Sequence, residues 1–579
     1  MKNKFLYFHV LISVLILWLS IDVMAAQIYY VGNTQGSENE DSTNKSFSVQ
    51  KRVDDLLDFS SYGEYGPDRS GRISGNVSEE IDIQRVGGKT ESSFYKTGVF
   101  QITELNLNIQ EKLWDDYSFE SQMFLRKSDT SRIEPRKDVR MKQLSMSISN
   151  NINRIRFGDF YGELSQFVLG ASLEGFEAKA RFGKHQEYTG IIARTHEADD
   201  TTSSFQRNVF AAKAAYTFNT PLIPLFRLCF QTAFAQDDPA TIKNVSTPVA
   251  VSNSVFGVEG EIKTVKYLSM VYELAYSTYD ANEKSTLENA VNGLALRLQP
   301  SLKIEDMNFR YMYYYVTPKF NSVVGSAMPD KEQHQFAVSW DPADWFDVSF
   351  TENYYWDHLN GSSRTKRTTN DEKYINFTVK PFSQRKSFSV RPYVNYLRQF
   401  SDDPQNIGAN ETLTVGVSLN DSADQGRINY SLGYEFREFN DEGNGKTGSD
   451  IYNRINGGLS FETVLWGRRL YVSDNVSLDI RAPKSTSKDD VSVTNSFSAI
   501  YDIYDRWRLS GGINVQQVDG ANPGTDLTST KNFAELMYTI DQRRYTRLSF
   551  RMEKNMYRPE DGSQKYTEDR LVIRFSSNF

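Results

Sequence analysis

Between Arg427 and Arg437 the chain changes chemistry at every step. Ile428, Tyr430, Leu432, Tyr434 and Phe436 alternate with Asn429, Ser431, Gly433 and Glu435. Successive side chains of a strand point to opposite faces, so the segment reads as a strand with one apolar and one polar or small face. The pattern recurs. Phe226, Leu228, Phe230 and Phe234 oppose Arg227, Cys229 and Gln231; Leu268, Met270, Tyr272 and Leu274 oppose Ser269 and Glu273; Trp507, Leu509, Ile513 and Val515 oppose Arg508, Ser510 and Asn514. Each run is about ten residues, the length that crosses a bilayer as a tilted strand.

Half-buried strands of soluble sandwiches alternate too, so the argument rests on number and spacing. About 26 segments (24–26) fit between Gly71 and Phe579 at membrane-strand lengths. Short links such as Ser149–Asn153, Gly183–Gln186 and Lys303–Asp306 alternate with longer polar ones such as Asp237–Asn253, Thr317–Glu332 and Asn440–Asp450. Outer-membrane barrels combine short periplasmic turns with longer extracellular loops. In hydrocarbon every backbone N–H and C=O must be paired within the protein, which a sheet achieves only by closing on itself. The expected fold is all-β: a large closed antiparallel transmembrane β-barrel, with both termini periplasmic in a Gram-negative outer membrane. The strands at Arg72–Ile83 and Asn153–Phe160 carry the weakest pattern.

Composition agrees. Hydrophobic residues are 39% of 579, yet aromatics reach 13%, with 33 Tyr and 37 Phe. Such a chain suits a fold whose apolar partner is lipid. Lys2 and Lys4, the apolar run Val10–Leu19 and Val23-Met24-Ala25 form a secretory signal over residues 1–25. Beyond it no apolar stretch is long enough for a membrane helix. One cysteine excludes an intrachain disulfide framework, and a net charge of −8 argues against nucleic acid as a partner. Residues 26–70 form a polar leader, with a short helix over Val49–Phe59 whose Val53, Leu56 and Leu57 share one face; a disordered leader is the other reading.

The polar faces are expected to line the lumen. They carry Arg227, Arg297, Arg310, Arg391, Arg427, Arg437, Arg508, Arg547 and Arg551, mixed with Glu259, Glu261, Glu273 and Glu435. The mixture shows no single sign and predicts no ion selectivity; cross-strand ion pairs that stiffen the wall are the alternative role. A round barrel of this size encloses a wide lumen, and outside loops of about 10 to 18 residues are too short to close it. Either the barrel is flattened, or a plug comes from the leader, from a periplasmic or lumenal protein partner, or from the link Gly158–Gly175. That link is read as an outside loop, but Asp159, Phe160, Tyr161, Phe167 and Leu169 suit an inward fold or a partner site better than open water.

The last segment resembles the C-terminal strand of outer-membrane β-barrel proteins. Leu571, Ile573, Phe575 and Phe579 alternate with Val572, Arg574, Ser576 and Asn578, while Ser577 departs from the apolar residue usual there. The resemblance implies that Phe575 and Phe579 form the signal read by the barrel-assembly machinery. Gly158-Asp159 with following aromatics and Gly175-Phe176 is similar to segments of chaperone–usher pores and of the large export barrel of gliding-type secretion, although no usher-like soluble domains flank it.

The functional expectation is a channel or export conduit. A TonB-dependent-like receptor, with Ile28-Tyr29-Tyr30-Val31 as coupling box, lacks residues for a globular plug; a structural scaffold for another protein is the third class. No Gly-x-Ser-x-Gly elbow, phosphate loop or His-based zinc spacing appears, so neither an enzyme, a cofactor nor a metal is expected. His185, His196 and His358 read as solvated turn and loop residues, and the acids of Asp441–Gly445 as a turn or a Ca²⁺ loop.

Overall fold

The computed structural model describes residues 72–579, apart from 114–115, 131–137, 196–204, 242–248, 265–266, 283–289, 360–366, 386, 402–408, 424–426, 442–447, 487, 522–524 and 561–563. The signal, the leader with its helix and coupling box, His196 and most of the acidic Asp441–Gly445 turn lie outside the described residues.

The described residues form 26 β-strands in one sheet, numbered β1 to β26 in chain order, each antiparallel to its sequence neighbours. β1 (Arg72–Gly88) also pairs with β26 (Tyr566–Asn578), from Asn76↔Asn578 to Gly88↔Tyr566, and this closes the sheet into a barrel. Closure leaves the first and last strands without a free edge. The fold is therefore the closed antiparallel barrel that alternation predicts, and both weakly patterned strands form within it.

The two faces of the wall separate as the side-chain period requires. On β9 (Leu225–Asp237), Phe230 and Phe234 are exposed on one face, while Cys229, Ala233 and Ala235 are buried on the other. The exposed face of neighbouring strands carries Ile192, Phe210, Phe256 and Leu274. A continuous apolar face of this extent is stable only against hydrocarbon, so it is the outer face. The opposite face lines the interior.

The two rims also differ. At one, links are as short as Trp466-Gly467 between β20 (Asp450–Leu465) and β21 (Arg468–Pro483). Exposed Trp345, Trp466, Tyr504 and Tyr545 cluster at these turns, as aromatic residues do at a membrane boundary. The other rim carries longer links, such as residues 317–330 between β13 (Met307–Val316) and β14 (Lys331–Ala343).

Candidate functional site

The wall departs from a plain barrel at β4 (Arg140–Ser149), β5 (Arg154–Ser165) and β6 (Leu169–Phe182). β4 pairs with β5 only from Ser149↔Arg154 to Ser145↔Gly158, whereas β5 and β6 stay paired up to Ser165↔Leu169. β6 joins β7 (Gln186–Arg194) only from Glu174↔Arg194 onward. The tip of the β5–β6 hairpin, residues 159–173, therefore leaves the wall. Gly158 makes the turn. Its φ is +86°, and a Cβ there would collide with the Leu144 carbonyl, so only glycine fits without strain. Asp159 follows and accepts a hydrogen bond from Leu144 N–H at 2.7 Å, occupying a donor that β5 no longer meets. The segment read from sequence as an outside loop is thus a continuation of two strands.

The hairpin folds onto the inner wall. Phe167, Val168 and Leu169 are fully buried, against Val209, Val255, Ala275, Ala295 and Val316. The floor is built from small residues. A Cβ on Gly257 would lie 2.6 Å from Val168 Cγ2, and one on Gly293 would meet the backbone of Phe320. Burial of each large apolar side chain contributes about 1.5–3 kcal/mol.

Polar anchors hold the hairpin. Phe167 N–H donates to Glu273 Oε1 at 2.9 Å; Arg297 lies 3.2 Å from the other carboxylate oxygen and donates to Gln166 Oε1 at 2.7 Å. Lys213 donates to the Leu164 carbonyl at 2.8 Å and pairs with Glu259. The buried Gln231 amide beside Gly257 has no hydrogen-bond partner among the described residues, a cost of about 1–3 kcal/mol that loosens this part of the seat.

The link 317–330 lies beside the hairpin tip on the same inner wall, where Asn321 N–H donates to Ser277 and Val323 N–H to Asn253. Gly170 N–H donates to the Val324 carbonyl at 2.8 Å, and Ser326 N–H to the Gln166 carbonyl at 2.9 Å. Phe320 is fully buried, its ring 6.0 Å from that of Phe167. This outside link reaches inward along the wall from its own rim to the hairpin.

The structure brings together Phe160, Phe167, Leu169, Glu273, Arg297 and Glu259 at this site. Phe160 is buried under the Arg156 guanidinium, 4.8 Å from its ring centre, whereas Tyr161 is 56% exposed. Arg227 lies 3.4 Å from Glu187, and Glu261 pairs with Lys263 at 2.8 Å. Glu435 accepts from Tyr393, Arg437 lies over the Tyr452 ring, and Arg508 pairs with Asp502 at 2.7 Å. Arg310 and Arg391 are exposed on the inner face opposite Ser301 and Ser418. Arg547 stands over the Tyr545 ring. Arg427 falls in the turn before β19 (Ile428–Asp441), its carbonyl accepting from Glu462 N–H. Cys229 is buried on the inner wall. His185 bonds the Thr217 carbonyl at a turn, and His358 its neighbour Asp357. Among the described residues no group of three or more His, Cys, Asp or Glu side chains is placed to hold a metal.

A second inner cluster sits at the closing seam. Arg570 contacts Asp82 at 2.8 Å, and Glu80 and Glu553 at 3.3 Å; Arg574 pairs with Glu80. Arg551 completes it through Glu553 at 2.5 Å. Glu80 and Asp82 are buried. Phe579 exchanges backbone hydrogen bonds with Gly75, and its ring covers Gly75 where a side chain would not fit. Phe575 faces outward. Sequence reading missed Glu80, Asp82, Arg570 and the small-residue seat. The seat had a signal: Val209 to Ala212 and Ala233 to Ala235 are apolar on both faces, where a water-lined wall calls for polar residues on one.

No family model matches the chain, and no curated protein matches it. Among solved structures, it is similar to the translocation pore of the P pilus usher PapC at 9% identity, with 87% of this chain and 98% of that chain covered and a TM-score of 0.36. The siderophore receptor PirA from Pseudomonas aeruginosa gives 10% identity, 88% and 80% coverage and 0.38; OccK5 from the same organism gives 10%, 88% and 98%, and 0.29. By its closed 26-stranded wall and apolar outer face, the chain is an outer-membrane-type β-barrel.

Proposed function

We propose that the chain is an outer-membrane conduit whose lumen is narrowed by its own β5–β6 hairpin, with the short-turn rim and both chain ends in the periplasm. The observation that carries this reading is the placement of residues 159–173 on the inner wall, beside the link 317–330. A barrel that served only as a shell needs no tailored glycine and alanine seat for a segment of its own wall. The inner face remains charged elsewhere, as Arg310 and Arg391 illustrate, which suits a hydrated path.

The test is conductance in planar bilayers. Wild type, Phe167→Asp and a chain without residues 26–70 are compared. Phe167→Asp sets a second carboxylate beside Glu273 and forces the hairpin off its seat. A several-fold larger conductance in Phe167→Asp supports the hairpin as the constriction. A gain only on removal of residues 26–70 assigns the constriction to the leader. Equal conductance in all three, with folding retained, overturns the proposal.

A further inference from the structure

The outer face of β21 contains a carboxylate where hydrocarbon is expected. Leu470, Val472, Val476, Leu478 and Ile480 all face outward, and Asp474 stands in the middle of them. Across the ladder its neighbours are Leu459 and Phe497, both exposed on the outer face. On β22 (Asp490–Tyr504), Asn495 interrupts the outward row of Val491, Val493 and Phe497 in the same way. Asn495 Nδ2 donates to Asp474 Oδ1 at 2.9 Å, and neither side chain makes another hydrogen bond or ion pair among the described residues.

Several other outward charges are matched inside the chain. Glu352 has Lys373 at 3.6 Å, Arg398 has Glu411 at 3.1 Å, and Lys554 has Asp569 at 3.6 Å. Glu79, midway along β1 between the outward Val77 and Ile81, accepts from Gln101 at 2.6 Å and is a second outward carboxylate met by an amide. Asp474 likewise sits midway along its strand, with apolar residues above and below, and its one partner among the described residues is the neutral Asn495 amide. A polar group at this depth is costly unless a partner within the membrane meets it.

The pair is self-complementary. It offers one free N–H of Asn495 and one free carboxylate oxygen of Asp474 side by side. A two-fold axis along the membrane normal preserves depth and reverses left and right. It therefore sets Asp474 against the partner's Asn495 and Asn495 against the partner's Asp474. The surrounding outer face permits close approach: Gly457 and Gly511 lie in adjoining rows, and a Cβ on Gly457 would find nothing nearer than 3.9 Å.

We propose that the outer face from β20 to β23 (Trp507–Asp519) is a membrane-embedded interface for a second copy of this chain, centred on Asp474 and Asn495. It is independent of the conduit reading, because it concerns the opposite face of the wall. The test uses the full chain carrying Val476→Cys, in native-like membranes, with a short bifunctional thiol reagent. The same chain is also made with Asp474→Leu and Asn495→Leu together, and Phe256→Cys serves as the control on a distant, uncharged part of the outer face. Folding is read independently from heat-dependent gel mobility. The expected result is a crosslinked pair through the Val476→Cys thiol, reduced at least five-fold in the double variant with unchanged barrel mobility, and none through the Phe256→Cys thiol. A pair that persists in the double variant overturns the proposal. So does an uncrosslinked monomer, or a crosslink to a different protein, in the Asp474-containing chain.

Discussion

Two sectors of the inner wall hold the barrel by opposite means. At β7–β13 the wall is floored with glycine, alanine and valine, and a hairpin of the chain itself lies on it. From β24 (Leu527–Asp541) round to β1 the wall carries arginines and buried carboxylates, with Ser93 and Tyr95, from the link after β1, against Glu568 and Arg570. The first sector trades hydration for packing and keeps few polar anchors. The second joins two strands that are distant in sequence, through charges whose partners are fixed by the register. The lesson is that one closed sheet can carry a replaceable contact and a permanent one, and that the side chains differ accordingly.

Arg570→Met tests the permanent contact and carries the largest expected effect. It leaves Asp82, Glu80 and Glu553 with fewer partners in a half-buried network, a loss of about 3–5 kcal/mol by the behaviour of broken buried pairs. The urea midpoint of the folded barrel is expected to fall, while conductance of the molecules that fold stays at the wild-type value. Phe167→Ala acts at the other sector. Truncating a fully buried phenylalanine costs about 3 kcal/mol or more, but here the loss falls on hairpin seating. Protease access to residues 159–173 is expected to rise with little change in the urea midpoint. If the midpoint drops as far as in Arg570→Met, the two sectors are one cooperative unit and the contrast fails.

Gly257→Leu sharpens the comparison from the wall side. The new side chain meets Val168 and Gln231, and overpacking of this kind costs about 1–3 kcal/mol. The expected reading is a larger and noisier single-channel conductance. Arg310→Gln is the smallest effect. An exposed surface change stays within about 0.5 kcal/mol, so stability is unchanged, and only the anion-to-cation permeability ratio shifts toward cations.

Much of the wall was legible in the chain itself. The alternation in β19 is so regular that its outward residues, Tyr430, Leu432 and Tyr434, are the exposed ones, and the strand number follows from repeating that reading. Local periodicity carries no information on where a segment goes after leaving the sheet. Phe167 meets Glu273 more than a hundred residues onward, a contact without any local signature. The same limit hid the seam: Glu80 looks like one more polar-face acid until the register sets Arg574 against it. Gly158 was visible as a glycine, but its left-handed backbone depends on the Leu144 carbonyl of the neighbouring strand.

The pairing of β1 with β26 also has a consequence in time. Asp82 and Arg570 stand 488 residues apart, so the ladder between them forms late, after the intervening hairpins exist. Non-local pairing of this kind folds slowly. Through that interval two strand edges are open to any other chain with a strand to offer. At high expression the expected first failure is edge-to-edge aggregation of chains that have made most of their hairpins but not yet shut the ring.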